Sequence, residues 1–472
     1  MRRGLGLVGV AGAVACSAPN PLFGRGAGAG TGGQDSGGSA GTSVSATGGI
    51  TTGASDSAAT DAADGSESDG GTGGEVDFTD DEWRGEFAEG TRLGVVWEND
   101  ALVMTADTSL GGFDSRIFDA GRVVDWDALA WQPSAPYRKP LPDGGVSEVD
   151  YLWGNADMAG NTLLLHLNDS NPGLGSVLAD SSGQGNDAYT DGIPTFGFLL
   201  EGVFGRALAT VGTQGVADTD SYFTLPEVAL APGAADFTWS VWFRNTECTT
   251  TGSILMVFDS PGNLAATPSA WIACVVCSGG RTAGLGTMVG EASGAGSYAC
   301  EDAPMQADGW HHAVLVKSGH RNATIETYFD GQRLSSRSSG FEEPLDVVQD
   351  VAFTIGGSSD VLVAGSADFD EVAIWNRALS ESEVHALYSR GASRLAVRVR
   401  ACDDAECTEA PQFIGPEDVI TPFVDPPGAT GPGTFIPLTD VIGRYIQYRL
   451  IFNRGAAGAQ SPELSAVTLL GH

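Results

Sequence analysis

The chain has 472 residues and carries 24 Lys+Arg against 60 Asp+Glu, a formal net charge of −36. Such a chain lacks the basic footprint of a nucleic-acid binder and is repelled by anionic membrane surfaces, which leaves a covalent anchor or a spanning segment as its route to a membrane. After the first 20 residues no uncharged apolar run approaches the roughly 18–20 needed to span, and the 67 glycines among many short alternating runs describe an all-β chain of roughly two folded units plus a tail.

Met1-Arg2-Arg3, the apolar stretch Gly4 to Ala15 and the small residues before Cys16 have the order of a secretory signal over 1–15. Ala13-Val14-Ala15-Cys16 resembles a bacterial lipobox, which implies cleavage before Cys16 and a diacylglycerol on its thiol. It departs from that pattern at Ala13, where Leu is usual, and ordinary cleavage nearby is the other reading. From about Gly24 to Glu82 the chain is Gly, Ser, Thr, Ala and Asp, with Arg25 the only basic residue before Arg84. A segment of this kind buries too little to offset its chain entropy, so residues 16–82 are expected to be a lipid-anchored, disordered tether with a reach of about 40–45 Å.

Residues 83–154 hold two alternating runs, Phe113 to Gly121 and Trp126 to Trp131, followed by a Pro- and Gly-rich stretch from Pro133 to Gly154. They are too few to close a sandwich alone. A matching set of runs follows far downstream in 393–472: Leu395 to Asp404, Arg444 to Phe452 and Ser461 to Leu469. Together they resemble a small β-sandwich module of exported bacterial proteins. The expectation is a split module with a second domain, 155–392, inserted in one of its loops; three successive domains are the alternative.

Within 155–392 the strand Leu163 to Leu167 precedes a polar turn, Asp180 to Asp187. Phe237 to Phe243 then places Phe237, Trp239, Val241 and Phe243 on one face and Thr238, Ser240 and Trp242 on the other, the period of a half-buried strand. Tyr328-Phe329-Asp330-Gly331-Gln332 predicts a hairpin with positive φ at Asp-Gly. Ser380 with Glu383 predicts a capped helix stopped at Gly391. The succession of these segments with Gly309-Trp310-His311-His312 and Phe369-Asp370-Glu371-Val372-Ala373-Ile374-Trp375-Asn376 resembles the laminin-G-like, concanavalin A-like lectin/glucanase domains of bacterial surface proteins. The resemblance implies an antiparallel jelly roll.

It also implies a place for Ca²⁺, between the early turn and the late strand, at Asp180, Asn186, Asp187, Asp368 and Asp370, where hard oxygen ligands converge. The plainer reading has Asp180 and Asn186 building an Asx-type turn and Asp370 capping a strand end. His311 and His312 are adjacent on a strand, so they point to opposite faces and cannot share an ion. Six cysteines besides Cys16 imply disulfides. Cys402 and Cys407 close a short loop as one pair, and Cys274 and Cys277 are expected to bond outward to Cys248 and Cys300, with zinc as the alternative.

The paired carboxylates of laminarinase-type hydrolases, Glu-x-Asp-x-x-Glu or Glu-x-Asp-x-Glu, are missing, as is Gly-x-Ser-x-Gly. The chain therefore reads as a non-enzymatic, exported lipoprotein at the outer membrane or cell surface that binds a glycan or a surface protein. Trp153, Tyr189, Trp242, Trp271 and Tyr298 are its possible stacking residues. A structural component of the envelope and a glycoside hydrolase with an unrecognised site are the other two readings.

Overall fold

The computed structural model describes residues 75–80, 86–168, 173–192, 197–199, 202–210, 221–226, 235–245, 248, 253–259, 269–277, 282–290, 296–305, 309–320, 322–339, 352–357, 367–409, 412–415, 435–454 and 461–472. All of them fall in the unit Gly70–His472. Cys16, the signal segment and the tether up to residue 74 lie outside the described residues.

Two antiparallel sheets face each other in the large sandwich. The first runs in the order Gly197–Leu199, Ala207–Thr210, Ala367–Trp375, Phe237–Asn245, His311–Ser318, Ala323–Phe329, Gln332–Ser339, with Asn161–Leu165 also paired to Ala367–Trp375. We call it the covered sheet. The second, the open sheet, runs Gly296–Asp302, Thr282–Gly290, Ser269–Cys277, Ser253–Asp259, Ala352–Ile355, Ser221–Leu225, Ala188–Gly192, Val177–Leu178. Strict alternation sends Phe237, Trp239, Val241 and Phe243 from one sheet, and Ala270, Ile272 and Cys274 from the other, into a single core.

Strands from both ends of the chain build a flanking sandwich. Phe118–Pro133 pairs with Ile442–Asn453 through its first half and with Leu464–Gly471 through its second, so this long strand belongs to both sheets. Residues from 87–137 and 395–469 share one core, including Trp126, Trp131, Val397, Tyr448 and Leu464. The chain leaves this module and returns to it at adjacent points, where the Arg138 amide donates to the Arg390 carbonyl (2.7 Å). One sequence expectation needs correction here. Val76–Asp80, assigned above to the tether, is a strand paired along Val467 to Gly471, and Asp80 is buried where it meets Arg116 and the Tyr448 hydroxyl. Its pairing partner lies almost the whole chain away, which no local pattern reveals.

The helix Glu381–Ala392, α1, has the expected capping box at Ser380 and Glu383. It does not stop at Gly391. That glycine is inside the last turn because the helix lies against Trp242: a Cβ there would sit 2.3 Å from the indole ring. Asp330 (φ 49°) and Gly331 (φ 73°) form the turn with two positive φ angles that the hairpin requires. No described helix is long and apolar enough to cross a membrane.

Candidate functional site

The outer face of the open sheet carries the most exposed of the aromatic candidates. On Ser269–Cys277 the residues alternate with those of the core, so Trp271, Ala273, Val275 and Cys277 point outward. Met288 stands directly opposite Trp271, and Tyr298 directly opposite Met288. Cross-strand neighbours share a face, and the Trp271 and Tyr298 rings meet with centroids 5.7 Å apart, tilted by 53°. Tyr298 is 57 % exposed and Trp271 9 %. The indole Nε1 of Trp271 is buried and has no hydrogen-bond acceptor among the described residues.

Glycines make this shelf flat. A Cβ at Gly286 would meet Val275 at 3.0 Å and the Trp271 ring at 3.1 Å, so a larger residue would lift the indole off the sheet. Gly284 lets a disulfide cross its strand. Cys277 and Cys300 lie on the two strands flanking Thr282–Gly290 and are bonded over it, with Cα atoms 5.5 Å apart. A Cβ on Gly284 would sit 2.7 Å from the Cys277 sulfur. The other pairs are Cys248 with Cys274 and Cys402 with Cys407. Three disulfides mark a chain that matures in an oxidising, exported environment.

The remaining aromatic candidates fall elsewhere. Tyr189 is 48 % exposed and on the same sheet, but four strand spacings from Trp271, about 19 Å, with the buried Thr354 between them. Trp153 is exposed on the entry segment, where its side chain is hydrogen-bonded to Glu463. Trp242 is a core residue: it is 4 % exposed, stacks on His312 (4.9 Å) and Tyr388 (5.7 Å), and is roofed by α1. His312 accompanies it, and burial holds this imidazole neutral with its pKa down at about 3. His311 points the other way, to Asp330 and the Phe329 ring.

The five residues expected to hold Ca²⁺ do not form one site. Asp180 spends its carboxylate on the turn: Oδ1 accepts from the Leu164 and Ser182 amides, Oδ2 from the Ser182 hydroxyl and the Asn186 amide, all at 2.7–3.0 Å. Asp187 accepts from the Asp180 amide, and Asn186 donates to Thr162. This is the Asx-type turn. Asp368 pairs with Arg244 (2.8 Å). Asp370 is buried and accepts from the Val203 and Phe204 amides (2.6 and 2.9 Å). Among the described residues no group of three or more His, Cys, Asp or Glu side chains is placed to hold a metal ion.

A β-bulge in Ala367–Trp375 supplies what the sequence did not show. The register slips between Asp370 and Ala373, and Glu371 takes φ 47°, so Asp370 and Glu371 both turn away from the core. Glu371 accepts from the Leu141 amide (2.5 Å) and from His166 Nδ1 (2.7 Å), while His166 Nε2 reaches Asp143 (2.8 Å). Burial, the largest single influence, opposes a charge on His166; attraction to and hydrogen bonds with Glu371 and Asp143 outweigh it and raise its pKa to about 9. Burial, then the adjacent Glu371, push Asp370 well above the usual carboxylate range. Nearby, the buried Arg390 of α1 pairs with Glu148 and donates to the Pro140 carbonyl (3.1 Å). Both carboxyls of the bulge are sealed, at 0 and 3 % exposure. They fasten the entry segment and the turn Gly202–Arg206 to the sheet and offer no open face to a substrate.

Residues 217–385 match the family model of the concanavalin A-like lectin/glucanases superfamily. The matched span lies within the large sandwich and α1. No curated protein matches the chain. Among solved structures, the binding domain of Paraclostridial Mosquitocidal Protein 1 is 15 % identical with a TM-score of 0.37, covering 49 % of this chain and 52 % of that one. Domain 4 of AbnA, a GH43 extracellular arabinanase from Geobacillus stearothermophilus, in complex with arabinotriose, is 18 % identical with a TM-score of 0.32, covering 48 % of this chain and 96 % of that one. A structure of botulinum neurotoxin type C is 12 % identical with a TM-score of 0.36, covering 51 % and 54 %. The chain thus spans about half the length of the first and third.

Proposed function

We propose that this protein is a non-catalytic carbohydrate-binding protein whose glycan rests on the shelf made by Trp271 and Tyr298. The observation that carries this reading is the exposed Tyr298 ring joined to Trp271 on a face kept flat by Gly284 and Gly286. A sugar ring presents an apolar face that packs on such a surface. The match to a lectin/glucanase superfamily points the same way. Cys16 as a lipid anchor, with the chain displayed on the cell surface for adhesion, completes the reading.

Affinity electrophoresis through plant, algal and bacterial polysaccharides tests it. The wild type should be retarded by at least one, and Tyr298→Ala should bind about three- to tenfold more weakly, while Tyr189→Ala should bind as the wild type does. Absence of binding across the panel would favour a purely structural role in the envelope. Radiolabelled fatty acid should enter the wild type and not Cys16→Ala.

A further inference from the structure

The flanking sandwich carries a second, unrelated feature. In a chain with 24 basic and 60 acidic residues, arginines such as Arg244, Arg377, Arg390 and Arg444 have a carboxylate partner. The outer face of Arg394–Cys402 instead sets arginines directly opposite one another. Leu395, Val397 and Val399 fill the core, so Arg398 and Arg400 point outward with Gln447 and Arg449 of the neighbouring strand.

Arg398 stands directly opposite Arg449. Like charges placed so are unfavourable. Asp114 relieves one of them, taking both Nε and Nη2 of Arg449 (2.5 and 2.6 Å). Arg400 gives Nε and Nη2 to the Gln447 side-chain oxygen (2.9 and 2.6 Å), and the guanidiniums of Arg400 and Arg449 lie 4.7 and 4.1 Å from the Phe413 ring centroid. No described residue pairs with Arg398, and its buried Nε has no partner. Burial, then the charge of Arg449, lower its pKa. The face thus holds three guanidiniums; Asp114 pairs with Arg449, Asp114 and Asp404 both act on the charge of Arg400, and Arg398 has no carboxylate partner among the described residues.

We infer that Arg398, with Arg449 and Arg400 beside it, is a binding site for an oxyanion carried by an acidic polysaccharide, a uronate carboxylate or a sulfate ester. An arginine fork reads such groups through paired N–H donors, and an anion there removes the repulsion between Arg398 and Arg449. A protein partner fits less well: none of the outward residues Ala396, Arg398, Arg400, Gln447, Arg449 and Ile451 is an exposed large hydrophobic of the kind an interface core is built on. A nucleic acid would meet the net charge of −36.

The site is independent of the Trp271 shelf, and the test separates the two. Binding of the full-length chain to polygalacturonate, to dextran sulfate and to neutral dextran is measured at low and high salt. Wild type should bind one or both polyanions, less tightly as salt rises, and the two arms distinguish carboxylate from sulfate. Arg398→Ala should weaken that binding about tenfold, whereas Tyr298→Ala should leave it unchanged. Arg398→Glu guards against a merely unfolded variant: it sets opposite charges face to face, so its Tm should rise while polyanion binding is lost. Failure of both polyanions to bind, wild-type affinity in Arg398→Ala, or a lower Tm in Arg398→Glu would each overturn the site.

Discussion

The two outer faces of the large sandwich start from the same material and end differently. Each presents an outward tryptophan, Trp242 on the covered sheet and Trp271 on the open one. Over Trp242 the chain lays α1, with Gly391 pressed to the indole, and over the bulge it lays the entry segment, held by Arg390–Glu148, by the Leu141 amide on Glu371 and by Asp143 on His166. Among the described residues, Tyr298, Met288, Val275 and the Cys277–Cys300 bridge lie beside Trp271, and no helix covers it. A strand's own alternation tells which residues leave the core. Whether they then meet solvent is decided by segments that arrive from elsewhere in the sequence.

The sharpest way to break the covered face is to strip its buried charge pair. Arg390→Ala leaves Glu148 buried without its closest partner, and the expected loss is about 3–5 kcal/mol of unfolding free energy in urea. A loss within measurement error would mean that Lys139, 2.9 Å from Glu148, suffices alone.

His166 gives the same face a pH signature. Its folded pKa, about 9, is above the unfolded 6.5, so its contribution is fully present below pH 6.5 and is lost as pH rises through about 9. Over that window the wild type should lose about 3 kcal/mol that His166→Gln does not lose. His312 has the opposite sign: its folded pKa of about 3 is below 6.5, so it withdraws stability as pH falls from 6.5 towards 3. Denaturant melts from pH 4 to pH 10 separate the two, and an alkaline slope that survives in His166→Gln would refute the assignment. Smaller again is Gly391→Ala, whose new Cβ must push the packed indole aside, at about 1–3 kcal/mol.

This contrast also marks what the sequence could show. The alternation of Phe237, Trp239, Val241 and Phe243, the cap at Ser380 and the turn at Asp330-Gly331 are local, and each is present where its pattern says. The outward and inward cysteines, 277 and 274, follow from the same period. Gly391 misled because a glycine that ends a helix and one that admits a ring look alike in a string of letters. His166 carried no signal, since its partners Asp143 and Glu371 are 23 and 205 residues away. Tyr298 and Trp271 were visible as aromatics, but their adjacency needs the register through Met288.

The smallest expected effect concerns the turn that both sequence readings shared. A genuine Ca²⁺ site held at a hundred times its Kd would add about 2.7 kcal/mol to stability. Asp180 has already committed both oxygens to amides and a hydroxyl, and Asp370 faces a different turn. Admitting an ion would therefore break hydrogen bonds that order 162–187 before gaining any. The Tm of the protein in EDTA and in millimolar Ca²⁺ should coincide, and Asp180→Ala should lower it by the same amount in both. A Tm that rises with Ca²⁺ in the wild type alone would show that Asp180 does hold an ion.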